Sequence, residues 1–127
     1  MTTSASYRPS ITERAHDRPV NVYPATGTGA LSLVTTERGR FRLVQATIRF
    51  SAIPTTSQDA TLQLDASDGA NYDSILRRVN PSVGTGNGDV VFTGGDEDIY
   101  EAGDQLTLAF TNTDARTIGA RIVVEPM

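Results

Sequence analysis

The chain has 127 residues, a net charge of −4 and no cysteine, and 38% of its residues are hydrophobic. This length indicates one domain with one core, and the lack of cysteine excludes disulfides and thiolate metal sites. No apolar run approaches the roughly 20 residues of a membrane span, and the first residues lack the apolar segment of a secretory signal. Neither a membrane nor a secretory role is therefore expected.

All eleven basic residues are arginines. Residues 1–50 hold seven of them against three carboxylates, whereas residues 51–127 hold four against twelve. A domain with this acidic balance is a poor ligand for nucleic acid, so no nucleic-acid partner is expected. The exclusive use of arginine is explained either by a genome rich in G and C or by selection for interface contacts, to which the planar guanidinium is suited.

Residues 1–19 form a polar segment that differs from the rest of the chain and holds the one histidine, His16. The sequence SITE, from Ser10 to Glu13, matches a capping box and predicts a short helix over residues 11–17, which Pro19 would end. An extended arm is the alternative. Either way, residues 1–19 are expected to be an N-terminal arm and residues 20–127 one folded domain.

From residue 20 onward the pattern is that of short β-strands separated by turns rich in Gly, Asn, Asp and Pro. The segment 72–80 contains SILRRV, which could also form a helical turn, but it is predicted as a strand. No segment after residue 19 supports a helix of ten residues or more. The eight predicted strands cover residues 20–23, 30–36, 41–51, 60–66, 72–80, 89–93, 105–111 and 118–125.

Alternation of apolar and polar residues predicts which face of each strand is buried. Within 105–111 the buried residues should be Leu106, Leu108 and Phe110, and the sequence NTDAR should make the turn to the last strand. In that last strand, Gly119 predicts a bulge or a close backbone approach. Other residues predicted on the core side are Val44, Ala46, Ile48, Phe50, Leu62, Leu64, Ile122 and Val124.

Eight short strands at this spacing indicate an all-β fold, an antiparallel β-sandwich of the jelly-roll type. A seven-strand immunoglobulin-like sandwich is the alternative. The sequence alone does not separate the two topologies.

The residues offer little catalytic chemistry. His16 lies in the polar arm, outside the predicted core, and the glycine-rich segments 26–29 and 84–89 lack the lysine of a phosphate-binding loop. The acidic segments 65–73 and 94–104 do not match the spacing of a calcium-binding EF-hand and are expected to be solvated loops, with calcium as the alternative. We therefore expect no enzyme, no cofactor and no metal site.

One basic feature remains to be explained. On a strand, Arg38, Arg40 and Arg42 would share one face, because side chains alternate with a period of two. Such a row could pair with carboxylates of a partner subunit, and a solvated strand face is the alternative.

Three segments resemble small β-sandwich structural proteins of tailed bacteriophage virions. They are ANYDSIL (residues 70–76), DVVF (89–92) and AGDQLTLAFTNTDARTIGARIVVE (102–125). In those proteins a Tyr-Asp strand, an AGD turn, an alternating strand, an NTD turn and a Gly-bearing last strand follow in this order. The pattern fits head-decoration (cement) proteins and also fibre-base and tail modules.

The resemblance implies a virion structural protein that is made in the host cytoplasm and decorates the capsid surface. It would bind the major capsid protein and itself, as a homo-oligomer expected to be a trimer. A tail-fibre or fibre-base module that binds host-surface glycan is the alternative, with Tyr100 stacking on sugar beside the loops 83–89 and 94–100. The expected partner-interface residues are Tyr7, Arg8, Arg14 and Arg18 in the arm and Arg38, Arg40 and Arg42.

Overall fold

The computed structural model describes residues 19–84 and 86–127, and this part of the chain contains nine β-strands and two short 3-10 turns, Ala70–Tyr72 and Pro81–Val83. The prediction that no helix of ten residues or more follows residue 19 is confirmed for the described residues. In chain order the strands are β1 (Asn21–Gly27), β2 (Leu31–Val34), β3 (Phe41–Phe50), β4 (Ala60–Asp65), β5 (Ser74–Val79), β6 (Val90–Thr93), β7 (Ile99–Tyr100), β8 (Gln105–Phe110) and β9 (Ile118–Pro126).

The strands form two antiparallel sheets. In the first, here called the β9 sheet, the order is β1-β9-β3, and β6 and β7 both pair with the remaining edge of β3. In the second, the β8 sheet, the order is β2-β8-β4-β5. With β6 and β7 sharing one position, this is the strand order of a jelly roll. The predicted jelly-roll sandwich is confirmed, and the immunoglobulin-like alternative is excluded because β1 and β2 lie in different sheets.

This topology divides the connections between two ends of the sandwich. The β1–β2, β3–β4, β5–β6 and β8–β9 connections meet at one end, here called the Asn112 end. The β2–β3, β4–β5 and β7–β8 connections meet at the other, here called the Asp104 end. Residues far apart in sequence, such as Asp114 and Thr55, therefore become neighbours at the Asn112 end.

The core lies between the sheets and is made mainly of aliphatic side chains. The alternation within β8 is confirmed, because Leu106 and Leu108 are fully buried and Phe110 is 3% exposed. Phe110 also packs edge-to-face on Phe50 of the opposite sheet, with ring centroids 5.4 Å apart, a favourable arrangement for two aromatic rings. The other fully buried aliphatic side chains include Leu43, Ile48, Leu62, Ile122 and Val124.

The prediction for β3 was wrong at Val44. The register of β3 against β9 shifts between Leu43 and Gln45, so Val44 is the extra residue of a β-bulge. A bulge reverses the alternation, which is why Leu43 is buried before it and Ala46 after it. Val44 itself is only half-buried, and its carbonyl accepts a hydrogen bond from the backbone of Gly94 at 2.9 Å.

The first predicted strand and the first predicted turn were misplaced. Residues 24–27 continue β1 rather than forming a turn. Pro24 is tolerated there because β1 is the edge strand of its sheet, where one side needs no donor. The two-residue strand β7 was missed because it is shorter than any alternation that sequence can reveal.

Candidate functional site

Four of the seven predicted interface residues, Tyr7, Arg8, Arg14 and Arg18, lie outside the described residues, as does His16. Their expected roles stay predictions. The same holds for the arm of residues 1–19 and for its two alternative conformations.

The predicted arginine row is not a row on a strand. Strand β3 begins at Phe41, so Arg38 and Arg40 belong to the loop before it, and only Arg42 lies on the strand. Arg40 is mostly exposed and its Nε lies 3.4 Å from Glu101. Arg42 lies largely buried against Glu125, with 3.2 Å between Nε and Oε1. Only one of the three is therefore on a strand, and their role at a partner interface stays a prediction.

Side-chain hydrogen bonds join the four connections at the Asn112 end. Asn112 lies in the β8–β9 turn, is 4% exposed and has a left-handed φ of 56°. Its amide nitrogen donates to the carbonyls of Thr28, Gly29 and Arg116 at 3.0–3.1 Å, and its amide oxygen accepts from the backbone of Arg116. The turn role expected for NTDAR is confirmed. The same amide, in addition, fastens the β1–β2 connection to that turn.

Asp114 makes the second such link. Its carboxylate accepts hydrogen bonds from the backbone of Thr55 and Thr56, both at 2.8 Å, and from the Thr56 hydroxyl at 2.7 Å. These bonds, with a smaller contribution from the charge of Arg116, lower the pKa of Asp114 to about 2. The ionised carboxylate is thus a structural acceptor that holds the β3–β4 loop.

This low pKa predicts an acid-sensitive contribution of Asp114 to stability. The unfolded chain takes up a proton at Asp114 near the ordinary pKa of 3.8, whereas the folded chain resists it until about 2. The stabilisation is therefore present above pH 4 and lost between pH 4 and 2. We expect Asp114→Asn to lower the melting temperature at pH 7, and the gap to wild type to close as the pH falls to 2.

Thermal unfolding followed by circular dichroism at pH 7, 5, 4, 3 and 2 measures this gap. The matched control is Asp68→Asn, because the Asp68 carboxyl is exposed in the β4–β5 connection at the Asp104 end. This variant should keep the melting temperature within about a degree or two of the wild-type value at every pH. A gap between wild type and Asp114→Asn that stays constant with pH would contradict the assignment.

The acidic segments at the Asp104 end also serve the fold. Asp104 accepts hydrogen bonds from the backbone of Ser67 and of Glu101, both at 2.9 Å, and these bonds lower its pKa despite its burial. Asp98 is 9% exposed and binds Arg77 at 2.9 Å, which joins the edge of the β8 sheet to the edge of the β9 sheet. Within residues 19–84 and 86–127, no group of three or more His, Asp or Glu side chains is placed to hold a metal.

Tyr100 is not a sugar-stacking residue. It is 8% exposed and its ring packs on Phe41 at a centroid distance of 5.5 Å. Burial, together with the nearby charge of Asp98, raises the pKa of its hydroxyl to about 12. The expectation that this ring stacks on sugar is therefore wrong, since its faces are used inside the protein.

Two shallow depressions lie on the solvent face of the β8 sheet. The larger has a volume of about 390 Å³ and is lined by Gln63, Asp65, Asp73, Ile75 and Thr107, among others. The smaller, of about 280 Å³, shares Gln63 and extends to Thr61. Their lining combines amide, carboxylate and hydroxyl groups with aliphatic side chains, of which Ile75 is the large exposed one. This chemistry suits a polyhydroxylated ligand.

A third depression lies on the solvent face of the β9 sheet, at Gly119. It has a volume of about 240 Å³, and Arg49 and Arg121 are among its lining residues. Gly119 pairs in regular register with Thr26 on one side and Arg49 on the other, so the predicted bulge is wrong. A Cβ at Gly119 would meet nothing within 4 Å, so the predicted close approach is also wrong within the described residues.

No protein-family model matches the chain, and no curated protein sequence is significantly similar to it. Among solved structures, the chain is similar to the crystal structure of Yersinia pseudotuberculosis-derived mitogen (YPM), at 13% sequence identity and a TM-score of 0.43 over 87% of each chain. A similarity this remote implies nothing about function. The fold and the depressions together define a jelly-roll domain whose candidate sites are surfaces.

In the described part of the chain, no helix has the length and apolar character needed to cross a bilayer.

Proposed function

We propose that this protein is a virion structural protein, a decoration or cement protein that stabilises a phage head by bridging neighbouring capsid subunits. It would sit on the capsid surface, bind the major capsid protein and assemble with itself, as a trimer in the simplest case. Binding to the assembled shell and not to its dissociated subunits would stabilise the shell by mass action.

The observation that carries this proposal is the side-chain network at the Asn112 end. Asn112 and Asp114 use their polar atoms to hold neighbouring loops, at distances of 2.7–3.1 Å. Such a network gives a rigid end whose loops lose little entropy when they dock on another protein. The jelly roll and the resemblance of residues 70–76, 89–92 and 102–125 to phage sandwich proteins support the same role.

The predicted arm provides the first test. Removal of residues 1–19 should abolish binding to shells of the cognate major capsid protein while the sandwich stays folded. Co-sedimentation of the purified protein with shells measures binding, and circular dichroism measures folding. Alanine at Tyr7, Arg8, Arg14 and Arg18 should reproduce the loss within the full-length chain.

Replacement of Arg38 and Arg40 by alanine tests the β2–β3 loop separately from the arm. Both side chains are exposed, and neither substitution removes core contacts. Weaker shell binding would place the β2–β3 loop at the interface. Full binding by the chain lacking residues 1–19 would rule out a role for the arm. No binding by the wild-type protein would rule out the cement role.

A glycan-binding module of a tail fibre or fibre base is the second candidate. The 390 Å³ depression on the β8 sheet favours it, because Gln63, Asp65 and Asp73 face a common space beside the exposed Ile75. If the function is glycan recognition, a glycan array should give hits that Asp65→Ala removes. An array without hits, combined with binding to capsid shells, would favour the cement role.

A further inference from the structure

The depression at Gly119, lined by Arg49 and Arg121 among others, is here called the Gly119 notch. Contacts among the described residues do not explain why a glycine stands at this position. Glycine in the middle of a strand weakens it, and it usually marks a bulge, a bend or a site where something approaches closely. Here the register is regular, the backbone does not need a positive φ, and no atom of residues 19–84 and 86–127 lies within 4 Å of a Cβ placed on Gly119. The approach that glycine permits at this position is therefore from outside the described residues.

Two arginines flank this notch with different surroundings. Arg49 binds Asp89, at 3.1 Å between Nη1 and Oδ2, and both side chains are exposed. Arg121 is exposed on β9, two residues from Gly119, and has no ion pair or hydrogen bond within residues 19–84 and 86–127. Its neighbours across the sheet are Pro24 and Thr47, which carry no charge. An arginine in this setting is free to bind a carboxylate from another molecule.

The chain offers such a carboxylate on the same sheet. Asp96 and Glu97 are exposed in the turn between β6 and β7, and neither has an ion pair or a side-chain hydrogen bond within the described residues. This turn lies beside Leu43 and Val44, because Asp98 and Gly94 bond to their backbone. Five residues of β3, or roughly 17 Å, separate Val44 from Arg49, so the turn cannot reach the notch of its own chain.

We propose that the Gly119 notch is a self-association site that receives the acidic Asp96–Glu97 turn of a second copy of this chain. Acceptor and donor are different patches of one surface, so the contact is head-to-tail, and such a contact closes into a ring when its rotation allows. The depression of about 240 Å³ has room for an inserted carboxylate side chain. Arg121 and Arg49 would then bind the inserted carboxylate. The inference rests on the homo-oligomeric assembly proposed above and assigns its contact.

Analytical ultracentrifugation of the full-length protein, without capsid shells, tests this contact. The wild type should associate with rising concentration, and Arg121→Glu should weaken association by roughly 100-fold, as expected for reversal of a charge in a contact pair. Arg78→Glu makes the same charge change on the β8 sheet, where the arginine is 57% exposed, and should leave association unchanged. Arg121→Glu combined with Asp96→Arg and Glu97→Arg should restore it.

The variant Gly119→Thr tests the effect of the notch on association independently of any effect on folding. A threonine fills the notch and suits a strand, so its melting temperature should equal or exceed that of the wild type while association is lost. A monomeric wild type at millimolar concentration would overturn the proposal, as would association that neither Arg121→Glu nor Gly119→Thr weakens. Binding of glutarate at Arg121 by a monomeric wild type would instead assign the notch to a small carboxylate. Shell binding is measured separately, so its loss or retention judges the cement role alone.

Discussion

Asn112→Asp is expected to destabilise the fold by about 3 kcal/mol or more at pH 7, although it only replaces the side-chain NH2 group by an oxygen of similar size. In the wild type the amide nitrogen of Asn112 donates to the carbonyls of Thr28, Gly29 and Arg116. A carboxylate there places a negative oxygen against those carbonyls in a position that is only 4% exposed. The β1–β2 connection would then separate from the β8–β9 turn.

Urea denaturation, analysed by linear extrapolation, measures the change in the free energy of unfolding. Lowering the pH from 7 to 5 should recover part of the loss, because a protonated carboxyl can donate where the carboxylate cannot. Asn112→Gly keeps the left-handed backbone without the side chain and should cost less than Asn112→Asp, since it buries no charge.

Thr111→Asp adds the same charge at an exposed neighbouring position and should change stability by about 0.5 kcal/mol or less. If Asn112→Asp cost no more than this control, the amide would not be what holds the two connections together.

Gly94→Ala is expected to be the most disruptive single methyl addition among the described glycines. A Cβ at Gly94 would lie 1.8 Å from the carbonyl oxygen of Leu43 and 2.6 Å from its carbonyl carbon. Backbone cannot move aside as a flexible side chain can, and Gly94 is held there by its hydrogen bond to Val44. We expect a loss of about 3 kcal/mol or more, or a chain that does not fold.

Gly119→Ala is the matched control, because Gly119 lies on β9 and a Cβ there would meet none of the described atoms within 4 Å. Replacement of a strand glycine by alanine should leave the free energy of unfolding unchanged or raise it by up to about 1 kcal/mol. Both variants can be compared by urea denaturation and by yield of soluble protein. Equal stability of Gly94→Ala and wild type would mean that the β3 bulge tolerates displacement.

The strands were predictable where their pattern is local. Leu106, Leu108 and Phe110 alternate with polar residues, and all three are buried as expected. The pattern failed at Val44, because a bulge adds one residue without any sign in the sequence and reverses the faces beyond it. It failed again at Tyr100, whose acidic neighbours suggested an exposed loop although its ring packs on Phe41.

The candidate sites were less predictable than the strands. The sequence drew attention to Arg38, Arg40 and Arg42 because their spacing is two, but spacing has a meaning only once a strand is known to contain all three, and β3 begins after Arg40. Arg121 gave no such signal. Its interest depends on Gly119 beside it and on the lack of a carboxylate across the sheet, and both are features of pairing between strands.

The sequence alone was enough to show a cysteine-free, all-β domain of the sandwich type and which side of most strands is buried, whereas the jelly-roll topology needed the strand order of the two sheets. Those properties follow from composition and from a period of two, which act within a few residues. Tertiary structure alone decided which loops meet at the Asn112 end, where β3 bulges and that Arg121 has no ion pair within the described residues. These depend on contacts between residues such as Asp114 and Thr56, which are 58 positions apart, and no local pattern encodes which distant segment will lie alongside.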